Sequence, residues 1–196
     1  MAREPWWTRK TVELEAAPRI RASSLDFVVS ETVFDLAKML QSSKTLSVVV
    51  VVDAKGRPLS LVDRFTPFPL GGLDTPLDQM LKTLPPLIIA SADYPFEKDA
   101  TKGVTALLAR TRGGGVLIED VARETAMVLP AGALFKAMRT RMHAFSMIGG
   151  GPPGEIHTDD WPAYICNRCA PPIIRLMPAG SDPPNCDKGH VMVPCS

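Results

Sequence analysis

The stretch Thr45–Arg64, TLSVVVVVDAKGRPLSLVDR, decides the fold predicted for this chain. Its first half, Leu46 to Val52, is mostly apolar and β-branched, as expected of a strand buried on both faces. Asp53-Ala54-Lys55-Gly56 then supplies residues typical of a tight turn, and a second apolar run, Leu59 to Val62, follows. The pattern predicts a β-hairpin in the core of the protein.

The same pattern occurs a second time, 67 positions further along the chain. Residues 48–53 align with Gly115–Asp120, and residues 59–62 align with Ala126–Leu129 without a gap. At the same offset the segment 32–40, which has apolar residues at helical spacing, aligns with 99–107. One offset that serves several elements indicates an internal repeat of helix, strand, turn and strand, with a further helix after each copy.

The remaining predicted elements fit this repeat. Short buried strands are predicted at Phe27-Val28-Val29 and at Leu87-Ile88-Ile89, where each copy would open. A connecting helix is predicted from Asp74 to Leu84, with Pro85-Pro86 ending it, and another helix begins at Pro130.

Four segments carry a resemblance to a known family: ETVFDLAKMLQSS, VVVVVDAKGRPLSLV, KDATKGVTALLARTRGGGVLIED and ETAMVLPAGALFKAM. They resemble the β-α-β-β-α motifs of the cystathionine-β-synthase (CBS) family, arranged as the tandem pair called a Bateman module. The resemblance covers residues 24–143. It implies an α/β fold with pseudo-twofold symmetry, a homodimer, and clefts that bind an adenosine nucleotide such as AMP, ATP or S-adenosylmethionine.

The family's ligand signature, a Ser or Thr followed three residues later by Asp, falls here on Asp63 and Thr66, which have the two residue types in reversed order. These two are the candidate nucleotide-binding residues, and Ser60 with Asp63 has the family's spacing three residues early. In the second copy the corresponding Pro130 and Ala133 offer neither a hydroxyl nor a carboxylate. A purely structural or dimerising pair therefore stays open beside a ligand-sensing one.

All four cysteines lie in the last 31 residues, and their spacing indicates a metal site. Cys166-x2-Cys169 is followed, after sixteen residues, by Cys186-x3-His190. A C-x2-C knuckle places two thiolates on one Zn²⁺, and a second knuckle would complete a tetrahedron. Cys195 competes with His190 as the fourth ligand. Four protein ligands leave no position for a catalytic water, so the zinc is predicted to be structural.

This layout resembles a bacterial or archaeal zinc ribbon, and together the patterns predict a domain organisation. Residues 1–23 form an N-terminal extension, 24–85 the first CBS motif, 86–145 the second CBS motif, 146–160 a linker rich in glycine and proline, and 161–196 a zinc-ribbon-like domain.

Composition and motifs limit the function. The net charge of +1 gives no general footprint for nucleic acid or membrane, and no apolar run approaches the ~20 residues that span a bilayer. The N-terminus lacks a secretory signal, so a cytoplasmic location is predicted. The sequence shows no pattern typical of a nucleophile with its base, of a catalytic carboxylate pair or of an open metal site. We therefore predict that the protein is not an enzyme.

The sequence therefore predicts a non-catalytic regulatory or scaffold protein, in which a CBS pair is coupled to a zinc ribbon. The ribbon would contact an unidentified protein or a nucleic acid. The alternative is a nucleic-acid-binding zinc-ribbon protein with a structural CBS pair.

Overall fold

The computed structural model of the chain describes residues 27–28, 48–53, 57–63, 77–96, 103–120, 125–136 and 161–195. Within these ranges the strands are β1 (Phe27–Val28), β2 (Val49–Val52), β3 (Pro58–Val62), β4 (Leu87–Ser91), β5 (Gly115–Asp120), β6 (Thr125–Pro130), β7 (Ala163–Cys166), β8 (Ile173–Leu176) and β9 (Val193–Pro194). Helix α1 (Val104–Thr111) lies between β4 and β5, and residues 131–136 are also helical.

The strands form two sheets, one of three strands in the order β1-β2-β3 and one of six in the order β6-β5-β4-β8-β7-β9, counted over the described residues. The predicted mixed α/β class is confirmed, with most of the body made of sheet. No helix in the described ranges is long and apolar enough to cross a membrane.

The repeat seen in the sequence reappears in the strand pairing. β1 runs parallel to β2 and β2 antiparallel to β3, and β4, β5 and β6 pair in the same directions. Val49 pairs with Val62, and the residues 67 positions later, Val116 and Leu129, also pair. The correspondence ends at a bulge between Val51 and Val52 in the first hairpin. The helix predicted at 32–40 lies outside the described residues.

One face of the six-stranded sheet is covered by α1. The helix buries Val104, Leu107 and Leu108 against alternate residues of the central strands, such as Ile88 and Val116. We call this buried cluster the helix-side core. Successive side chains of a strand point to opposite faces of the sheet, so the helix-side core contains every second residue of the central strands. The helix ends at Arg112, which has a left-handed backbone with φ 54°.

The opposite face of the same sheet packs against the three-stranded sheet. Leu87, Ile89 and Leu117 belong there to one buried cluster with Val48 and Leu61; we call this cluster the inter-sheet core. The backbone amide of Gly114 donates to the carbonyl of Leu61 at 2.9 Å. A Cβ at Gly114 would lie 2.8 Å from that oxygen, so the contact requires glycine.

The C-terminal strands extend this sheet, which differs from the separate ribbon expected from the sequence. β8 pairs in parallel with β4, placing Leu87 opposite Ile173, and β7 and β9 continue the sheet beyond it. The physical reason is burial: Ile173 enters the inter-sheet core and Ile174 and Leu176 enter the helix-side core, while β8 pairs with the side of β4 that β5 leaves open. The predicted domain boundaries are not tested by this arrangement and stay predictions.

The connection before β4 also differs from prediction. In the described part of the helix expected from Asp74 to Leu84, residues 77–84, the structure has a single 3₁₀ turn, Leu77–Met80. The amides of Thr83 and Leu84 both donate to the carbonyl of Met80, which closes the turn before Pro85-Pro86. Pro85 and Pro86 lack the backbone N–H groups that would continue a helix, so the chain passes from this turn directly into β4.

Candidate metal centre

Four side chains that are up to 24 residues apart come together beside the inter-sheet core. The Sγ atoms of Cys166, Cys169 and Cys186 and a ring nitrogen of His190 all lie within 4.8 Å of one another. Cys166 Sγ is 3.6 Å from Cys169 Sγ and 3.6 Å from His190 Nδ1. Cys169 Sγ is 3.7 Å from Cys186 Sγ and 3.9 Å from His190 Nδ1.

These separations can be compared with the edges of a metal tetrahedron. With Zn–S about 2.3 Å and Zn–N about 2.0–2.1 Å, tetrahedral angles place sulfurs about 3.8 Å apart and sulfur and nitrogen about 3.6 Å apart. The four distances given above, of the six edges, lie within a few tenths of an ångström of those values, and the remaining two separations are at most 4.8 Å. The four residues could therefore bind one metal ion such as zinc.

The first knuckle is the turn between β7 and β8. Cys166 is the last residue of β7 and pairs with Ile173, the first residue of β8. Cys169 lies in the intervening turn, and both cysteines are buried. The antiparallel pairing of two strands thus fixes the position of two ligands at once.

The second knuckle precedes β9. The amide of Cys186 donates to the carbonyl of His190 at 2.9 Å, and the amide of Gly189 donates to the carbonyl of Cys186 at 2.7 Å. Gly189 has φ +77°, the left-handed conformation that glycine adopts at little cost. A bridge between Asn185 and Val191 closes the loop.

The thiols of the cluster are electrostatically unlike one another. Burial, followed by hydrogen bonds with the thiols of Cys166 and Cys186, raises the pKa of Cys169 to about 12. Burial is the largest influence on Cys186 and acts to raise its pKa, but hydrogen bonds from the backbone amides of Lys188 and His190 and from the thiols of Cys166 and Cys169 together lower that pKa. Amides that donate to a sulfur stabilise a thiolate, and such hydrogen bonds are typical of metal knuckles.

Cys195 does not join the cluster. Its side chain packs against the helix-side core, and its amide donates to the carbonyl of Ala163 at 2.7 Å. Burial raises the pKa of its thiol, although the charge of Arg110 acts in the opposite direction. Of the two alternatives for a fourth ligand, the structure brings His190 to the other three residues.

An ion pair missed by the sequence analysis ties the second knuckle to the sheet. Arg175 on β8 donates to Glu119 Oε2 on β5 at 2.6 Å, and its guanidinium lies 4.0 Å from Asp187 Oδ1. The pKa of Asp187 is raised above its ordinary value, because burial has a larger effect than the opposing charge of Arg175. A charged residue at one position of the apolar strand Ile173-Ile174-Arg175-Leu176 was the available signal, but its partners are remote in sequence.

Of the two candidate nucleotide-binding residues, the structure describes Asp63 but not Thr66. Asp63 follows the end of β3 and is partly buried; its backbone nitrogen would lie 2.8 Å from a Cβ placed on Gly114. Thr66 lies outside the described residues. In the second copy Pro130 ends β6 and Ala133 lies in the helical segment 131–136. Nucleotide binding stays a prediction.

Comparison with known proteins does not supply a family. No protein-family model matches the chain, and no curated protein matches it in sequence.

Proposed function

We propose that the chain is a non-catalytic regulatory or scaffold protein whose fold is stabilised by a structural zinc centre at Cys166, Cys169, Cys186 and His190. The observation that carries the proposal is the close approach, within 4.8 Å of one another, of three buried thiols and one imidazole nitrogen. A Cys₃His set is a common structural zinc site.

The ligand set supports a structural role over a catalytic one. Four protein ligands close the coordination shell, so no position is left for a water or a substrate. Zinc, when bound, would join the β7–β8 turn to the loop before β9. The backbone amides at Lys188 and His190 would hold the Cys186 sulfur as a thiolate.

The architecture supports a tandem CBS-type pair as the body of the protein. The support is the shared pairing of β1-β2-β3 and β4-β5-β6 and the common offset of their hairpin registers. In this proposal the pair forms a homodimer in the cytoplasm and senses an adenosine nucleotide, with Asp63 and Thr66 as the contacts of the first copy. The zinc-bearing segment presents a surface to an unidentified protein partner.

Two measurements test the regulatory part of this proposal. Thermal-shift titration with AMP, ATP and S-adenosylmethionine should raise the melting temperature with at least one of them, because a ligand that binds only the folded state stabilises it. Light scattering after size-exclusion chromatography should give the mass of a dimer. A melting temperature unchanged at millimolar nucleotide removes the sensing role, and a monomeric mass removes the dimer.

A nucleic-acid-binding protein is the second candidate. Arg168 and Lys188 are exposed, one in each knuckle, and basic side chains on a zinc knuckle can contact phosphates. Asp182 and Asp187 offset part of that charge. Binding of a labelled single-stranded oligonucleotide that weakens steeply with salt, and that Arg168→Ala abolishes, would favour this candidate; no binding at low salt would exclude it.

A further inference from the structure

The cysteines of the metal centre share a buried cluster with both halves of the repeat. Cys166, Cys169 and Cys186 are 1%, 6% and 4% exposed, and they belong to the inter-sheet core together with residues of the first and second copies. From the first copy this core takes Val48 and Leu61, and from the second copy it takes Leu87, Ile89, Leu117, Ala126 and Val128. The metal centre is therefore placed where the two sheets meet.

The other face of the six-stranded sheet provides a contrast. The helix-side core contains α1 and the alternate residues of the same strands, but none of the four metal-ligating residues. Leu61 and Leu108 are both leucines, both are 1% exposed, and they lie in the inter-sheet core and the helix-side core respectively. The two leucines are therefore matched in type and burial and differ in the face of the sheet against which they pack.

A polar contact adds a second connection from the centre to the sheet. Asp187, next to the ligand Cys186, faces the guanidinium of Arg175, which is in turn bonded to Glu119 of β5. Glu119 lies two residues beyond Leu117 along β5, on the same face as the inter-sheet core. Both apolar and ionic contacts thus connect the metal-binding loop to the junction between the sheets.

We propose that metal binding at the Cys₃His centre and packing of the β2–β3 hairpin against the six-stranded sheet are thermodynamically coupled, so that the metal acts as a clamp between the two copies of the repeat. The inference rests on the proposed zinc centre. It follows from the shared core: a metal that orders the three cysteines also orders part of the buried cluster to which Leu61 belongs. Thermodynamic linkage makes the effect reciprocal. The factor by which undocking of the hairpin lowers the metal affinity equals the factor by which metal removal lowers the docking equilibrium of the hairpin.

The test compares Zn²⁺ affinity of the full chain, measured by competition with a chromogenic chelator, in wild type, Leu61→Ala and Leu108→Ala. Leu61→Ala should weaken Zn²⁺ binding about tenfold, within the range typical of coupled sites, while Leu108→Ala should change it less than about twofold. Equal effects of the two substitutions, or no effect of Leu61→Ala, would overturn the coupling. A wild-type chain that takes up no Zn²⁺ would overturn the metal centre itself and the coupling with it.

A measurement on the wild-type chain keeps the test decisive if Leu61→Ala does not fold. Hydrogen–deuterium exchange is compared between the Zn²⁺-loaded protein and the protein treated with EDTA. Amides of β3 should exchange faster after metal removal, whereas amides of α1 should keep their protection. Equal changes in β3 and α1, or no change in β3, contradict the clamp.

Discussion

At the scale of single residues, the choice between His190 and Cys195 is a question of position in the fold. Their spacing from Cys186 left both open as the fourth ligand. The bridge between Asn185 and Val191 turns the chain so that His190 faces the cysteines, and pairing of β9 with β7 then carries Cys195 to the helix-side core. A spacing rule cannot anticipate this separation, because it depends on which side of the sheet the final residues reach.

Cysteine substitutions test this assignment. Cys186→Ser should reduce the zinc content from about one ion per chain to near zero and destabilise the fold by several kcal/mol, because a structural zinc contributes folding free energy directly. Cys195→Ser is the matched control and should leave the zinc content unchanged. Elemental analysis after gel filtration measures both variants. Loss of zinc in Cys195→Ser would show that Cys195, and not His190, is the fourth ligand.

The raised pKa of Cys169 predicts how stability depends on pH in the metal-free protein. The folded state binds the Cys169 proton more tightly than the unfolded chain, because the pKa is about 12 in the fold against an ordinary value of 9.0. This contribution to stability is fully present below pH 9 and is lost as the pH rises towards 12, by about 2 kcal/mol near pH 10.5.

Urea unfolding of the EDTA-treated protein at pH 7, 9 and 10.5 measures this loss, and Cys169→Ser should show a smaller fall over the same interval. The zinc-loaded protein should have the opposite dependence and lose stability in acid, where protons displace the metal from the thiolates. If wild type and Cys169→Ser fall in parallel above pH 9, the thiol is not buried as described.

At the scale of elements, the contact between the sheets depends on one close backbone approach. A methyl group at Gly114 would lie 2.7 Å from the carbonyl carbon of Val62 and 2.8 Å from the nitrogen of Asp63. Gly114→Ala should therefore destabilise the protein by about 1–3 kcal/mol, as expected of overpacking against backbone that cannot move away.

Gly132 offers a matched control within the helical segment 131–136. A Cβ there meets nothing within 4 Å, so Gly132→Ala should stabilise the protein by about 0.5–1 kcal/mol through helix propensity. Denaturant unfolding of both variants measures the two effects. A neutral Gly114→Ala would mean that β3 does not approach β5 as closely as described.

Much at this scale could be predicted from the sequence, because local patterns specify local pairing. The offset of 67 residues anticipated that Val49 and Val62 pair as Val116 and Leu129 do. The docking of β8 beside β4 could not be anticipated, since the partner of an edge strand is set by tertiary contacts and not by periodicity. The ion pair of Arg175 with Glu119 could not be predicted for the same reason, because 56 residues separate the two in sequence.

At the scale of the whole molecule, the centre belongs to the body of the protein and is not an appendage. Its cysteines are buried with residues from both sheets, and the strand that follows the first knuckle pairs with β4. Removing the metal is therefore expected to affect the sheet junction as well as the C-terminal loop. The spacing of the ligands could be recognised in the sequence, but the position of the metal centre between the two sheets could not.

The measurement that tests the central claim most directly is zinc K-edge X-ray absorption on the purified protein, combined with its zinc stoichiometry. We expect one zinc per chain, bound by three sulfurs at about 2.3 Å and one nitrogen at about 2.0–2.1 Å, with no oxygen ligand. A protein without zinc, or a spectrum with fewer than three sulfurs or with a bound water, would contradict the account of a closed structural centre.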